Sequence, residues 1–223
     1  MHSFLRHLRA KGLDCVPEPV ALDGDTETLR FIEGECGGDG WKHQHDEQGL
    51  RSAAHLLRRI HDASADWVPP DDAVFAAPPV QGGDVFVNGD PGPWNFVWRD
   101  GAAVALIDWD FLHPAPRLSD VAYALQWFAP LRDDTAALEW HHFPEVPDRR
   151  ARIEAFLDAY GMGADFDVAE EVVRRIRYTS DHVRFLADQG QEPQKTWVAE
   201  GSVEKEEFAD IAWIEENRSL FPK

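Results

Sequence analysis

Cysteine is nearly absent from this sequence. Two occur in 223 residues, Cys15 and Cys36. That is too few for a disulfide framework or a four-cysteine zinc site, and both read as reduced thiols. Long apolar runs are lacking too, since none approaches the roughly 18 residues that a membrane-spanning helix needs. The start, MHSFLRHLRAKGL, has neither the apolar stretch nor the small-residue cleavage site of a signal peptide, so the expected compartment is cytoplasmic. Positive charge is scarce: 22 Lys and Arg stand against 41 Asp and Glu, a formal net charge of −19. Such a surface repels polyphosphate and anionic lipid, which excludes a generic nucleic-acid or membrane binder. A small anionic ligand held through metal ions stays open. There is no internal repeat and no low-complexity tract.

What the chain has in quantity is apolar and aromatic surface. Hydrophobic residues make up 43% of it, with nine Trp, enough to build a real core. The spacing predicts a short helix over 3–12, with Phe4, Leu5 and Leu8 on one face and Gly12 as its stop. Cys15–Leu22 and Glu27–Ile32 read as a hairpin about Asp23-Gly24-Asp25. Residues 34–46 read as a Gly-rich, irregular connection. A second helix is expected over 47–63, and a Pro-rich connector over 67–80. Short strands follow at 85–88, 96–98 and 103–107, then helices at 119–128, 148–160, 166–188 and 203–217. Strands grouped ahead of helices indicate an α+β fold rather than alternating βαβ units.

The chemistry concentrates in residues 85–125. Asp90 sits in a tight Asn-Gly-Asp-Pro-Gly-Pro loop after a short strand, Asn95 lies five residues later, and a further strand delivers Asp108 at its end. Carboxylates at strand ends face a cleft, whereas mid-strand ones would be buried at high cost. Two carboxylates and an amide oxygen form a hard-oxygen set suited to Mg²⁺, which takes few protein ligands and completes its shell with water and phosphates.

Taken together, Asn88-Gly89-Asp90, Asn95, Ile107-Asp108-Trp109-Asp110 and Ser119-Asp120-Val121-Ala122 resemble the catalytic segment of the aminoglycoside phosphotransferase and choline kinase-like family. That family shares the protein-kinase-like fold. The resemblance implies that Asp90 is the base taking the proton of an acceptor hydroxyl. It implies that Asn95 and Asp108 hold Mg²⁺ on the phosphates of ATP or GTP, with Asp110 tuning that site. Asn88 would support the loop, and Asp120 would cap its helix and brace the loop. Residues 1–33 would be a truncated small N-terminal lobe and hinge, and 34–223 a mostly helical large lobe with its catalytic loop at 85–110. The opening helix resembles the αC helix of the small lobe of that family, so the phosphate-binding loop and its Lys would lie upstream. A native frame longer by about 30 residues, one hairpin and a strand, is therefore expected.

Two departures stand out. Asn88 occupies the place where the family usually has His. Gly34, Gly37, Gly38 and Gly40 do not replace the phosphate loop, because no Lys-Ser/Thr follows and Glu33, Glu35 and Asp39 would repel phosphate.

The remaining signals read as structural. His43, His45, His141 and His142 are expected on surface loops. Trp127, Trp140, Trp197 and Trp213 are expected to pack in the core or between lobes. Glu200, Glu204, Glu206, Glu207 and Asp210 are expected to form a solvated face, although in the resembled family such carboxylates line a pocket for amine-bearing acceptors. The expectation is a phosphotransferase moving the γ-phosphoryl group of ATP or GTP to a hydroxyl of a small molecule, with an amine-bearing acceptor favoured by the acidic charge. The alternatives are a catalytically weak kinase-like ligand-binding protein and a metal-dependent hydrolase.

Overall fold

The opening helix, α1 (His2–Ala10), forms because Phe4, Leu5 and Leu8 recur on one side of an otherwise polar segment; all three are buried. Gly12, at φ +82°, turns the chain out of it. In the computed structural model, which describes every residue except 25, 164 and 223, β1 (Pro19–Asp23) and β2 (Thr26–Leu29) then pair antiparallel. This is the expected hairpin with shorter strands; Asp25 of its turn lies outside the described residues.

The Gly-rich stretch is more ordered than the sequence suggested. Residues Gly37–Gln44 wind as a 3₁₀ helix. Just before it, Glu35 exchanges two backbone hydrogen bonds of 2.9 and 2.8 Å with Trp98. Its glycines allow close approach: a Cβ on Gly40 would lie 2.7 Å from the Pro93 carbonyl oxygen.

The central helix is α2 (Glu47–Ser64), whose inner face buries Leu50, Ala53, Leu57 and Ile60. β3 (Val85–Val87) is followed by β4 (Phe96–Arg99) and β5 (Ala102–Leu106), which pair with each other. The turn between β4 and β5 is Asp100-Gly101, with φ of +52° and +77°, the left-handed pair that suits a two-residue hairpin. The sequence reading missed β6 (His113–Ala115), which pairs antiparallel with β3. It is three residues long with Pro at its centre, so no alternation announces it.

The second half is helical: α3 (Arg117–Phe128), α4 (Asp134–Glu139), α5 (Arg149–Tyr160), α6 (Val168–Asp188), α7 (Gln194–Ala199) and α8 (Ser202–Glu216). The side chains of Asp133, Asp148 and Asp167 cap α4, α5 and α6 by accepting from Ala136, Ala151 and Glu170 amides. α4 and α7 were not expected, because six residues are under two turns and carry no readable period. One apolar core includes Phe4, Leu57, Trp98, Phe128, Phe156 and Phe221. Among the described residues no helix is long and apolar enough to cross a membrane.

Candidate active site

The loop after β3 is held from three sides. Gly89 has φ +89°, and a Cβ there would lie 2.6 Å from the Phe111 carbonyl oxygen, so only glycine fits against the 107–112 segment. The Asn88 side chain is fully buried. Its amide nitrogen donates to the Asp108 carbonyl at 2.7 Å, and its oxygen accepts from the Asp90 amide at 3.1 Å. Asn88 thus ties the Asp90 turn to the Asp108 turn. From α3, the Asp120 carboxylate accepts from the Asn88 and Gly89 amides at 2.8 and 3.0 Å. From α6, the Arg175 guanidinium donates to the Gly89 carbonyl at 2.5 Å.

Asp120 contacts the loop and not its own helix terminus. α3 starts after Pro116 with no side-chain cap, so the bracing contacts are present and the capping contact is not. Asp120 also meets His61 of α2 at 3.3 Å, and His61 meets the Tyr160 hydroxyl at 2.7 Å. Burial alone would push the Asp120 carboxyl up, but the His61 contact and the charges of Arg175 and His113 hold it below the usual aspartate value.

Asp90 points where these braces aim it. Its Oδ1 accepts from the Tyr123 hydroxyl, and its Oδ2 accepts from Asn95 Nδ2 at 2.8 Å and from Trp94 Nε1 at 3.3 Å. A carboxylate offers about four lone-pair positions; three are taken, and one is left for an incoming hydroxyl. Burial drives its pKa up to about 6, against the hydrogen bonds of Tyr123 and Trp94, with the Asp108 charge pushing the same way as burial. Tyr123 itself is raised well above the ordinary tyrosine value by burial and by Asp90, so it stays a donor.

The other candidate ligands lie on the far side of Asp90. Asn95 is buried; its side-chain nitrogen is spent on Asp90, and its side-chain oxygen accepts no hydrogen bond among the described residues. The Ile107 amide donates to the Asn95 backbone carbonyl at 2.9 Å, which brings Asp108 alongside. Asp108 is exposed at φ +55°, held outward because Trp109 is buried behind it, donating to the Leu106 carbonyl and packing on Phe4. Partial enclosure, then the charge of exposed Asp110, pushes the Asp108 carboxyl up. Among the described residues no three His, Cys, Asp or Glu side chains converge as a cage. An exposed carboxylate beside a free amide oxygen is nevertheless the hard-oxygen pair that suits Mg²⁺ completed by phosphate.

A cavity of about 600 Å³ opens beside the loop. Gly89, Asp90 and Trp94 line it; Asn95, Asp108 and Asp110 do not. Its walls correct several sequence-based readings. Trp127, Trp140 and Trp197 line this cavity, together with Trp41, and are not simply core; Trp213 does pack, under the Arg149 guanidinium. Glu206, Glu207 and Asp210 also face it, and Asp210 is buried, bonded to Arg132 at 2.7 Å and Gln126 at 3.0 Å. His141 is fully buried and stacked on Trp127, its pKa pushed down to about 3 by burial and then by the Arg132 charge. His45 is half-buried and bonded to the His141 carbonyl, whereas His142 is exposed.

Sequence reasoning missed Tyr123, Trp94, Arg175 and His61. Tyr123 had a signal, since it lies three residues beyond Asp120 on one helix face. Arg175, from a helix 86 positions away from its partner Gly89, had none.

Residues 71–171 match the model of a family described as "Phosphotransferase enzyme family". The trifolitoxin immunity protein of Rhizobium leguminosarum bv. trifolii is 36% identical over 168 residues, covering 72% of this chain. The match spans 62% of that relative's length. Among solved structures, a spectinomycin phosphotransferase in complex with ADP and spectinomycin superposes with a TM-score of 0.60 at 13% identity, over 98% of this chain and 82% of its own. A choline/ethanolamine kinase family protein from Mesorhizobium loti gives 0.53 at 15% identity, over 98% and 80%. Identities this low speak for the fold alone, and that fold is the kinase-like phosphotransferase fold. The segment holding the Asp90 loop and the Asp108 turn thus lies within residues 71–171, the part of the chain that is similar to the phosphotransferase enzyme family.

Proposed function

We propose that this protein transfers the γ-phosphoryl group of ATP or GTP to a hydroxyl of a small molecule. The observation that carries the reading is the setting of Asp90: a carboxylate with a pKa of about 6, between a ligand-sized cavity and the exposed Asp108, with one acceptor position unfilled. A base poised near neutrality is what proton removal from an alcohol requires.

The acceptor would enter from the cavity and donate its hydroxyl hydrogen bond to Asp90. Its oxygen attacks the γ-phosphorus in line; the new O–P bond forms as the bond to the β–γ bridging oxygen breaks. The hydroxyl proton passes to Asp90, and the nucleoside diphosphate leaves. Tyr123, Asn95 and Trp94 hold the carboxylate in position throughout. Asn95 and Asp108 supply the oxygens suited to Mg²⁺, whose charge would offset that of the phosphates. The two free cysteines, buried Cys15 and exposed Cys36, accord with a cytoplasmic site of action.

A second reading has one observation in its favour. The relative at 36% identity is named for immunity to a toxin, and immunity can rest on sequestering a ligand as well as on modifying it. The test is a pair of variants assayed for nucleotide binding and for turnover. Asp90→Ala should lower turnover by about 10²–10⁴ while Mg-nucleotide affinity stays near wild type, because Asp90 faces the acceptor. Asp108→Ala should weaken both. Full phosphotransfer by Asp90→Ala would remove the catalytic assignment. Ligand binding with no turnover in the wild type would favour sequestration.

A further inference from the structure

The cavity beside Asp90 says more about its occupant than that it bears a hydroxyl. We infer that it takes an uncharged hydroxyl compound presenting a flat aromatic or heteroaromatic face, and not a polyamine. The inference rests on the phosphotransferase reading only in calling that compound the acceptor.

Position comes first. Asp90 borders the cavity while Asn95 and Asp108 do not, so the space lies on the hydroxyl side of the base and away from the candidate phosphate side. About 600 Å³ is ample for a small organic molecule.

The walls come next. Trp140 and Trp197 line the cavity yet remain 42% and 44% exposed. Large indole surfaces left open around a concave site are apolar area that an occupant can cover. Trp94 joins wall to chemistry, because its Nε1 hydrogen-bonds Asp90 at 3.3 Å. A ring packed among these indoles therefore carries its hydroxyl towards the base.

Charge decides against a polyamine. Four carboxylates line the space: Asp90, Glu206, Glu207 and Asp210. Asp90 accepts three hydrogen bonds already. Asp210 is paired with Arg132, and Glu207 with Arg184 at 2.5 Å. Asp90 and Glu206 have no ion pair among the described residues, and Asp90 has one acceptor position left. Against these stands the buried guanidinium of Arg175 in the lining, which has no carboxylate within ion-pair distance among the described residues, whereas Arg132 is already offset by Asp210. Three of the lining rings that could hold an ammonium already carry a guanidinium. Arg132 sits 4.7 and 4.2 Å from the Trp127 and Trp140 ring centres, and Arg175 sits 4.6 Å from that of Tyr123. A molecule with several ammonium groups would meet only two carboxylates without an ion pair, one buried cation without a carboxylate partner, and a guanidinium already on one side of the Trp127, Trp140 and Tyr123 rings.

The test is calorimetric binding without nucleotide at about 0.15 M salt, using two neutral aromatic alcohols, tyrosol and N-acetyltryptophanylserinamide, against choline and kanamycin. The expected result is that at least one neutral aromatic probe binds about tenfold more tightly than either cation. Trp197→Ala should weaken it about tenfold and Trp197→Phe hardly at all. If Trp197→Ala shows no cooperative melting transition, Trp140→Ala takes its place. Tighter binding of kanamycin or choline overturns the inference. So does aromatic binding that ignores the tryptophan variants, or no binding of either aromatic alcohol up to about 10 mM. The two proposals fail separately: aromatic binding without turnover leaves this one standing, and phosphorylation of kanamycin without aromatic binding leaves only the phosphotransferase reading.

Discussion

Asp90 of the loop and Asp120 of α3, which braces it, respond to pH in opposite directions. For Asp90, enclosure outweighs its hydrogen bonds, and the pKa rises to about 6. Between the unfolded value near ~3.9 and 6, the folded state holds a proton that the unfolded chain has lost. The stability contributed by this group is complete at low pH and lost as pH rises through 6, by up to ~3 kcal/mol for about two pKa units. Asp90→Asn does not titrate, so its unfolding free energy relative to wild type should grow between about pH 4.5 and 7.5 in denaturant titrations. A constant difference would mean that Asp90 is not perturbed. The same titration should appear in kcat/KM, which is expected to fall below pH about 6 as the base is protonated. Asp120 behaves in reverse. Its lowered pKa contributes stability above the unfolded value that is lost on acidification. Asp120→Ala leaves His61 and two loop amides without their partner, and a loss of roughly 3–5 kcal/mol is expected in chemical denaturation.

At the level of elements, the tightest approach in the fold is that of α2 to the 3₁₀ turn before it. A Cβ on Gly49, in the first turn of α2, would lie 1.8 Å from the His43 carbonyl oxygen. Gly49→Ala should therefore lower the melting temperature, although alanine is the better helix former by about 1 kcal/mol; a rise would show that the two elements separate easily. How much was legible in the sequence follows from how contacts are distributed along the chain. Asn88, Asp90, Asn95 and Asp108 fall within one stretch, so spacing alone could suggest that they act together. The long helices were legible because their apolar faces repeat. What stayed hidden depends on packing between distant elements. Arg175 reaches the loop from α6, and Trp41, Trp127 and Trp197 share a wall only because the 3₁₀ turn, α3 and α7 converge. A tryptophan in a helix looks the same in sequence whether it faces a core or a cavity. Asp120 was read as both a cap of its helix and a brace of the loop; its hydrogen bonds go to the loop amides, and α3 has no side-chain cap.

For the whole molecule, a charge of −19 on 223 residues means that folding concentrates like charge. Ion pairs such as Arg218 with Asp167 and Glu215 relieve this locally, but exposed pairs of this kind are worth little each. Raising salt from about 0.02 to 0.3 M should therefore raise the melting temperature as self-repulsion is screened; a fall would mean that surface pairs dominate. The arrangement of the cavity reaches further. The base and its donors Trp94 and Asn95 occupy one short run of chain, whereas the indoles at 41, 127, 140 and 197 come from separate elements, and Trp94 alone belongs to both sets. Substitutions on α7 and α8 can then reshape what enters without touching the groups that hold Asp90. Inheritance can keep the chemistry while acceptor choice drifts, so close relatives of this chain are expected to share a loop and to differ in what they act upon.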